Sequence, residues 1–285
     1  MGLYIEMKPT FKNLKRVVRK SYEPEPYARY IARPLSILFT WLFVRTPISA
    51  NQVTILQEVL GVAGAVLLAF GKIHLSLLGI TFLQLGYILD CSDGEVARWK
   101  KQQSTEGVFL DLVGHVIVIP GYMFALGFGA WMQTGRIEAL VAGFVAGLFV
   151  LRLERISLLS VVDSLVIESE NPQYDFKQLR KKVDNLPDNV EMGSAGSIGR
   201  RSWFQILFRY PDSMNVITVV VFFDFLFATF YPETLLYPFS YFLILVYGTV
   251  LFLGRIWQIR RVFKNGLVEL RFLELLRSSR KIIKR

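Results

Sequence analysis

Six stretches of near-continuous apolar residues dominate this chain of 285 residues, each about as long as a bilayer crossing. They run roughly over 52–70, 75–98, 107–132, 138–160, 214–231 and 236–256. A helical crossing takes about 20 apolar residues to bridge a hydrocarbon core of about 30 Å. Inside that core every backbone N–H and C=O must be satisfied within the protein, which favours helices. Composition agrees, with 53% hydrophobic and only 20% charged residues. The expectation is an all-α integral membrane protein with six transmembrane helices. Ahead of them lies "YARYIARPLSILFTWLFVRTP", residues 27–47, whose apolar run is short and flanked by Arg29, Arg33 and Arg45. It reads as an interfacial amphipathic helix lying on the membrane.

Charge placement orients the spans. Residues 1–50 hold nine Lys/Arg, the turn between spans two and three holds Arg98, Lys100 and Lys101, the segment from Arg152 to Arg209 holds nine, and the tail from Arg255 holds ten. The other side has only Lys72 and Arg136. By the positive-inside rule both termini and the 164–212 insert are expected in the cytoplasm. The net charge of +10 is then mostly a topology signal. Nucleic acid is not an expected partner, because no soluble module carries a basic face interleaved with aromatics. The domains expected are a cytoplasmic N-terminal segment over 1–50, a membrane domain over 51–257 and a basic cytoplasmic tail over 258–285. The basic N-terminus lacks the apolar core of a signal peptide, and Glu6 does not suit the myristoylation pattern. The lone Cys91 excludes an internal disulfide.

One polar stretch breaks the apolar pattern. "LDCSDGEVARWKKQQSTEGVFLDLVGH" runs from Leu89 to His115 and joins spans two and three. On a helix Asp90, Asp93 and Ala97 share one face, and Gly107, Asp111 and His115 step by four along another. Ser104 or Thr105 can cap the second helix. The stretch therefore reads as a helical hairpin with its polar faces turned together, and Gly94, Ala97 and Gly107 keep those faces free of bulk. Carboxylates on adjoining faces repel, and each costs about 2.5–3.5 kcal/mol at a span centre. Divalent metal neutralises them, since Mg²⁺ and Mn²⁺ favour oxygen ligands and aspartates can be shared by two ions. Two such ions suit a diphosphate, so the residue chemistry points to metal-assisted phosphoryl transfer at the cytoplasmic face.

Written out, the spacing is Asp90-x2-Asp93-Gly94-x2-Ala97-Arg98-x8-Gly107-x3-Asp111-x3-His115. It resembles the signature of the CDP-alcohol phosphotransferase family, integral-membrane enzymes of phospholipid and related synthesis, at seven of eight fixed positions. The upstream "RTPISANQVT" looks like the family's entry to its first span, where an N-x-x-T pattern lies near the nucleotide. The resemblance covers roughly residues 27–165. It implies a six-helix membrane fold, usually a homodimer, that cleaves a CDP-linked donor, transfers the phospho-alcohol group to an alcohol acceptor and releases CMP, with two divalent ions, Mg²⁺ or Mn²⁺. Carried over by position, Asp90, Asp93 and Asp111 would ligate metal. Asp93, Gly94, Ala97, Arg98 and Gly107 would line the CDP site, joined by Asn51 and Thr54. The donor would be CDP-diacylglycerol with a polar alcohol acceptor, or a soluble CDP-alcohol with a lipid or polyol acceptor. Residues 27–54 look most like the branch that makes inositol-phosphate diesters from CDP-inositol.

The departure is His115, where the family's pattern has aspartate as second-metal ligand and base. Histidine keeps the base role, together with Asp111, and its unperturbed pKa of about 6.5 suits neutral pH. As a nitrogen ligand it suits Mg²⁺ less than Mn²⁺ or Zn²⁺. Two rival classes use the same residues: an inactive relative serving as a membrane scaffold, and a cation-dependent transporter. CMP release separates both from the enzyme, and acids clustered at one face argue against an ion path. Among other polar residues, Cys91 reads as core and His74 as surface. With His74 and His115 far apart, no H-E-x-x-H zinc pattern exists. Arg152 and Arg155 are candidate anchors for an anionic acceptor. Asp224, inside "VVVFFDFLF", needs a partner.

Overall fold

A computed structural model describes residues 9–18, 25–151, 208, 210–231, 237–264 and 273. Among them every regular element is helical: α1 (Phe11–Val18), a π-helical turn (Ala28–Ala32) continuing into α2 (Arg33–Phe43), α3 (Ala50–Ala69), α4 (Ile73–Lys100), α5 (Thr105–Thr134), α6 (Ile137–Val150), α7 (Asp212–Phe230) and α8 (Pro238–Lys264). Five of these, α3, α4, α5, α7 and α8, are long and apolar enough to cross a membrane. The expected fourth crossing corresponds to α6, described over 14 residues. The rest of the 138–160 run, with Arg152 and Arg155, lies outside the described residues, as do most of the 164–212 insert and most of the tail.

Two compact units divide the chain. The first holds the described residues up to Val150 and from Phe208 to Thr249. In it α4 is central, packing against α2, α3 and α7, while α5 packs against α3 and α6. Small residues allow these approaches. A Cβ on Gly64 of α3 would lie 2.7 Å from the carbonyl of Gly79 on α4, and a Cβ on Gly79 would lie 2.7 Å from that of Gly64. Neither position admits a side chain without parting the helices. Polar pins add specificity: Tyr122 of α5 bonds Ser213 of α7 at 2.9 Å, and Gln84 of α4 donates to Thr218 of α7 at 2.8 Å. The described part of the second unit is chiefly the end of α8, where Leu253, Ile256, Trp257 and Phe263 are exposed and the Arg261 guanidinium lies over Trp257.

The pre-span helix inverts the soluble pattern. Its buried residues are Ser36, Ile37, Thr40 and Phe43. Its exposed ones include Ile31, Leu35, Leu38 and Leu42, an apolar stripe at helical spacing. The polar side is inward because it serves Glu95 of α4, which is only 2% exposed. Arg33 Nη1 approaches Glu95 Oε1 at 3.2 Å, Ser36 Oγ donates to the same oxygen at 3.0 Å, and Thr40 Oγ1 donates to Oε2 at 2.7 Å. Arg33, read from sequence as a charge flanking the apolar run, is thus half of a part-buried ion pair fastening α2 to α4.

Candidate active site

The motif hairpin forms as its spacing predicts. α4 continues through the polar stretch to Lys100, and Lys101 closes it in the left-handed region at φ +57°. Gln102 N–H then donates to the Ala97 carbonyl at 2.9 Å, satisfying one of the helix's last open acceptors. Of the two residues expected to cap, Ser104 does so, accepting from Gly107 N–H at 3.0 Å to start α5. The turn is fastened to the entry of α3. Lys100 Nζ donates to the carbonyls of Thr46 and Ile48 at 2.7 and 2.6 Å, and Gln102 Oε1 accepts from Ala50 N–H at 3.0 Å. Ser49 and Gln52 form a reciprocal capping box on α3. Three helix ends are thereby held together.

Helix length explains why charge is tolerated here. About 20 residues cross the hydrocarbon, whereas α4 has 28 and α5 has 30. Counted from their far ends at Ile73 and Thr134, the crossing runs out near Ser92 on α4 and near His115 on α5. Asp90, Asp93, Asp111 and His115 therefore lie together at one boundary, where a charge costs much less than mid-span.

Asp90, Asp111 and His115 converge, each offering a ligand atom within 4.8 Å of the others. Their side chains are 20%, 37% and 17% exposed, so the cluster is reachable from outside. His115 Nδ1 lies 2.8 Å from the backbone carbonyl of Asp111 and 3.3 Å from its Oδ1. A carbonyl has no proton to give, so Nδ1 carries the hydrogen and the neutral ring presents its lone pair at Nε2. Nε2 faces Asp90 Oδ1 at 4.0 Å, too long for a hydrogen bond.

Asp93 is not in that group of three. Its Oδ2 accepts from Thr54 Oγ1 of α3 at 2.7 Å. Asn51, one turn before Thr54, overhangs Gly107: a Cβ there would lie 3.1 Å from Asn51 Oδ1. Gly94 sits under the Arg98 guanidinium, 3.3 Å from where its Cβ would be. The fold so joins Asn51 to Gly107 and Thr54 to Asp93, across more than fifty and nearly forty residues of sequence. Cys91 is buried, as expected for a core residue, and His74 is exposed.

Four further residues were missed from the sequence. Gln57 and Glu58 of α3 line a half-open cleft beside Asp90 and His115, with Gly114 and Tyr210. A Cβ on Gly114 would lie 2.3 Å from Glu58 Oε1, so only glycine makes room for that carboxylate. Tyr210 meets the His115 ring edge-on at 5.2 Å and Tyr87 at 5.4 Å. Burial first, then the nearby Asp90 carboxylate, push the Tyr210 phenol well above its ordinary pKa, keeping it an O–H donor. A signal for Gln57 and Glu58 existed, since a polar pair interrupts an apolar span one turn after the N-x-x-T pattern. Tyr210 had none, because its approach depends on where α7 returns.

The donor set suits a divalent cation. Two carboxylates and a neutral imidazole are oxygen and nitrogen ligands of the kind Mn²⁺ and Mg²⁺ accept, the nitrogen favouring Mn²⁺. A ligating histidine ordinarily donates its other N–H to a carbonyl or carboxylate, as Nδ1 does here.

Comparisons agree with this geometry. Residues 47–173 match the family model of CDP-alcohol phosphatidyltransferase. A curated relative, "Bifunctional IPC transferase and DIPP synthase" from Rubrobacter xylanophilus, is 36% identical over 122 residues, 41% of this chain and 27% of the relative. The alignment thus spans about a quarter of that relative's length. Residues 47–173, which contain the whole Asp90–His115 hairpin, thus match the CDP-alcohol phosphatidyltransferase family model.

Proposed function

We propose that the protein cleaves a CDP-linked donor at the membrane surface, transfers its phospho-alcohol group to an alcohol acceptor and releases CMP. The observation that carries this reading is the convergence of Asp90, Asp111 and His115 within 4.8 Å at one membrane boundary, inside the family-matched segment. Asp90 and Asp111 would hold a divalent ion, with Asp93 serving a second, and the single free lone pair of the neutral His115 ring would be left for proton transfer. Bound there, the ions would supply Lewis-acid stabilisation of charge on the diphosphate. Asn51, Thr54, Gly94, Ala97, Arg98 and Gly107 would cradle the CDP moiety, the two glycines leaving space and Arg98 offering a fork of donors to phosphate oxygen.

His115 is the proposed base. With Nδ1–H anchored on the Asp111 carbonyl, the Nε2 lone pair is fixed in direction and ready to accept the alcohol's proton as its oxygen attacks phosphorus. The likeness of residues 27–54 to the CDP-inositol branch, and the name of the curated relative, favour a polyol on one side of the exchange. The apolar outer stripe of α2 supports an interfacial placement of that helix. The membrane domain is proposed over 51–257, as a homodimer, with residues 1–50, the 258–285 tail and the active site cytoplasmic.

Two experiments test this. Purified protein is screened with CDP-linked donors and alcohols for metal-dependent CMP release. No release from any pair would sink the transferase and favour a scaffold. Single cysteines in a Cys91→Ala background are labelled with an impermeant maleimide in sealed cells. Labelling of the 164–212 insert from outside would reverse the orientation.

A further inference from the structure

The cleft behind the charged cluster has unmet acceptors. Among the described residues, Gln57 Oε1 and Glu58 Oε1 are buried oxygens without any hydrogen-bond partner. Gln57 as a whole is only 7% exposed. Both line the same cleft as Asp90, His115 and Tyr210, whose lining also includes Leu83, Val118, Ile119 and Met214. The empty space of this half-open cleft is about 370 Å³ with the open solvent at its mouth included.

A buried acceptor left without a donor is costly, and native proteins rarely tolerate one without reason. Two adjacent residues of one helix turn carry such oxygens here. Gly114 is required for one of them, since any side chain at that position would displace the Glu58 carboxylate. Cations do not explain both oxygens, because the Gln57 amide is neutral and Glu58 is not in the ligand group of three. The Glu58 carboxylate takes the Gly114 backbone N–H and Gln57 turns its side chain to Asp90, yet the Oε1 atom of each has no donor of its own. A ligand meeting them must supply two hydrogen-bond donors, and the rest of the lining it meets includes apolar side chains. A ring or short chain of carbons bearing several hydroxyls has both properties.

We propose that Gln57 and Glu58 form a polyol subsite, receiving hydroxyls of the alcohol moiety while its reacting oxygen lies near His115. This rests on the transferase reading for its purpose but not for its test. The polyol could belong to the acceptor or to the donor's alcohol, and the same oxygens would serve either.

The binding test omits donor and metal. Purified protein in detergent is titrated with myo-inositol and with cyclohexanol, which share a six-carbon ring and differ in hydroxyl number. Ligand-observed NMR gives both dissociation constants. Wild type should prefer myo-inositol by about tenfold or more, the scale of hydrogen bonds to a buried amide and a carboxylate. Glu58→Leu and Gln57→Leu should each lower myo-inositol affinity by about tenfold. Cyclohexanol should still bind both variants, showing the cleft to be intact. Glu58→Gln, which keeps an acceptor in place, should retain more affinity than Glu58→Leu. Equal affinity of wild type for the two rings overturns the subsite, as does an unchanged preference in both leucine variants. Steady-state CMP release then separates the sources. A raised acceptor KM in Glu58→Leu assigns the subsite to the acceptor, a raised donor KM assigns it to the donor, and an unchanged KM for both overturns it. Failure of wild type to release CMP would overturn the transferase while the titration still decides the polyol site.

Discussion

The carboxylates at the two ends of this bundle have opposite fates. Asp224 of α7 is 1% exposed, yet both its oxygens are occupied. Oδ1 accepts from Phe239 N–H at 3.1 Å and Oδ2 from Ser240 N–H at 2.9 Å. These are open donors in the first turn of α8, so Asp224 caps that helix from across the bundle. Asp90 and Asp111, at the other end of α4 and α5, face each other and His115 instead. Backbone donors fix a carboxylate in one structural role. Carboxylates turned toward one another keep capacity for a ligand. Glu95, held by Arg33, Ser36 and Thr40, belongs with Asp224. The partner set therefore separates structural from functional acids more sharply than burial does.

That contrast breaks most easily at the cluster. Asp90→Asn, Asp93→Asn and Asp111→Asn should each reduce CMP release by about 10³-fold or more, the scale of several kcal/mol of lost transition-state stabilisation. Thermal unfolding in detergent should change little, because amides keep the shape. Near-normal turnover in any one variant would remove that residue from the site.

The next effect is at His115. His115→Ala should lose about 10²- to 10⁴-fold in turnover, as expected of a missing base. His115→Gln should fail similarly, although it still hydrogen-bonds. His115→Asp should retain part of the activity. Its acidic limb should lie at lower pH, since a carboxylate becomes a competent base from about pH 4 and imidazole from about 6.5. An unchanged pH profile in His115→Gln would make the histidine structural, with Asp111 then the first candidate for proton removal.

The smallest effect is at Asp224, and it should be one of stability alone. Asp224→Ala leaves two backbone N–H groups of α8 without their acceptor, at a cost of about 1–3 kcal/mol. Thermal unfolding should report that loss while CMP release per folded molecule stays near wild type. Loss of turnover without loss of stability would place Asp224 in the function and erase the distinction.

Some of this was legible from the chain itself. Crossing helices follow from uninterrupted apolar length, because a bilayer imposes one distance. The hairpin follows from steps of three and four residues, which put side chains on one helix face whatever surrounds them. The Ser104 cap and the spacing from Asp90 to His115 are local in the same sense. Other features required the packed bundle. The N–H groups held by Asp224 are ordinary backbone of another helix, which no side-chain pattern announces. Glu95 resembles a boundary charge until α2 turns its polar side inward. Tyr210 reaches His115 from 95 positions away. Gln57 and Glu58 gain meaning only where Gly114 of α5 leaves room for a carboxylate. Periodicity records which residues share a face, and the sequence alone determined that much. Which faces meet was decided by tertiary packing, through close approaches such as Gly64 on Gly79, where van der Waals contact between backbones selects one pairing among many apolar surfaces that lipid would otherwise cover equally well.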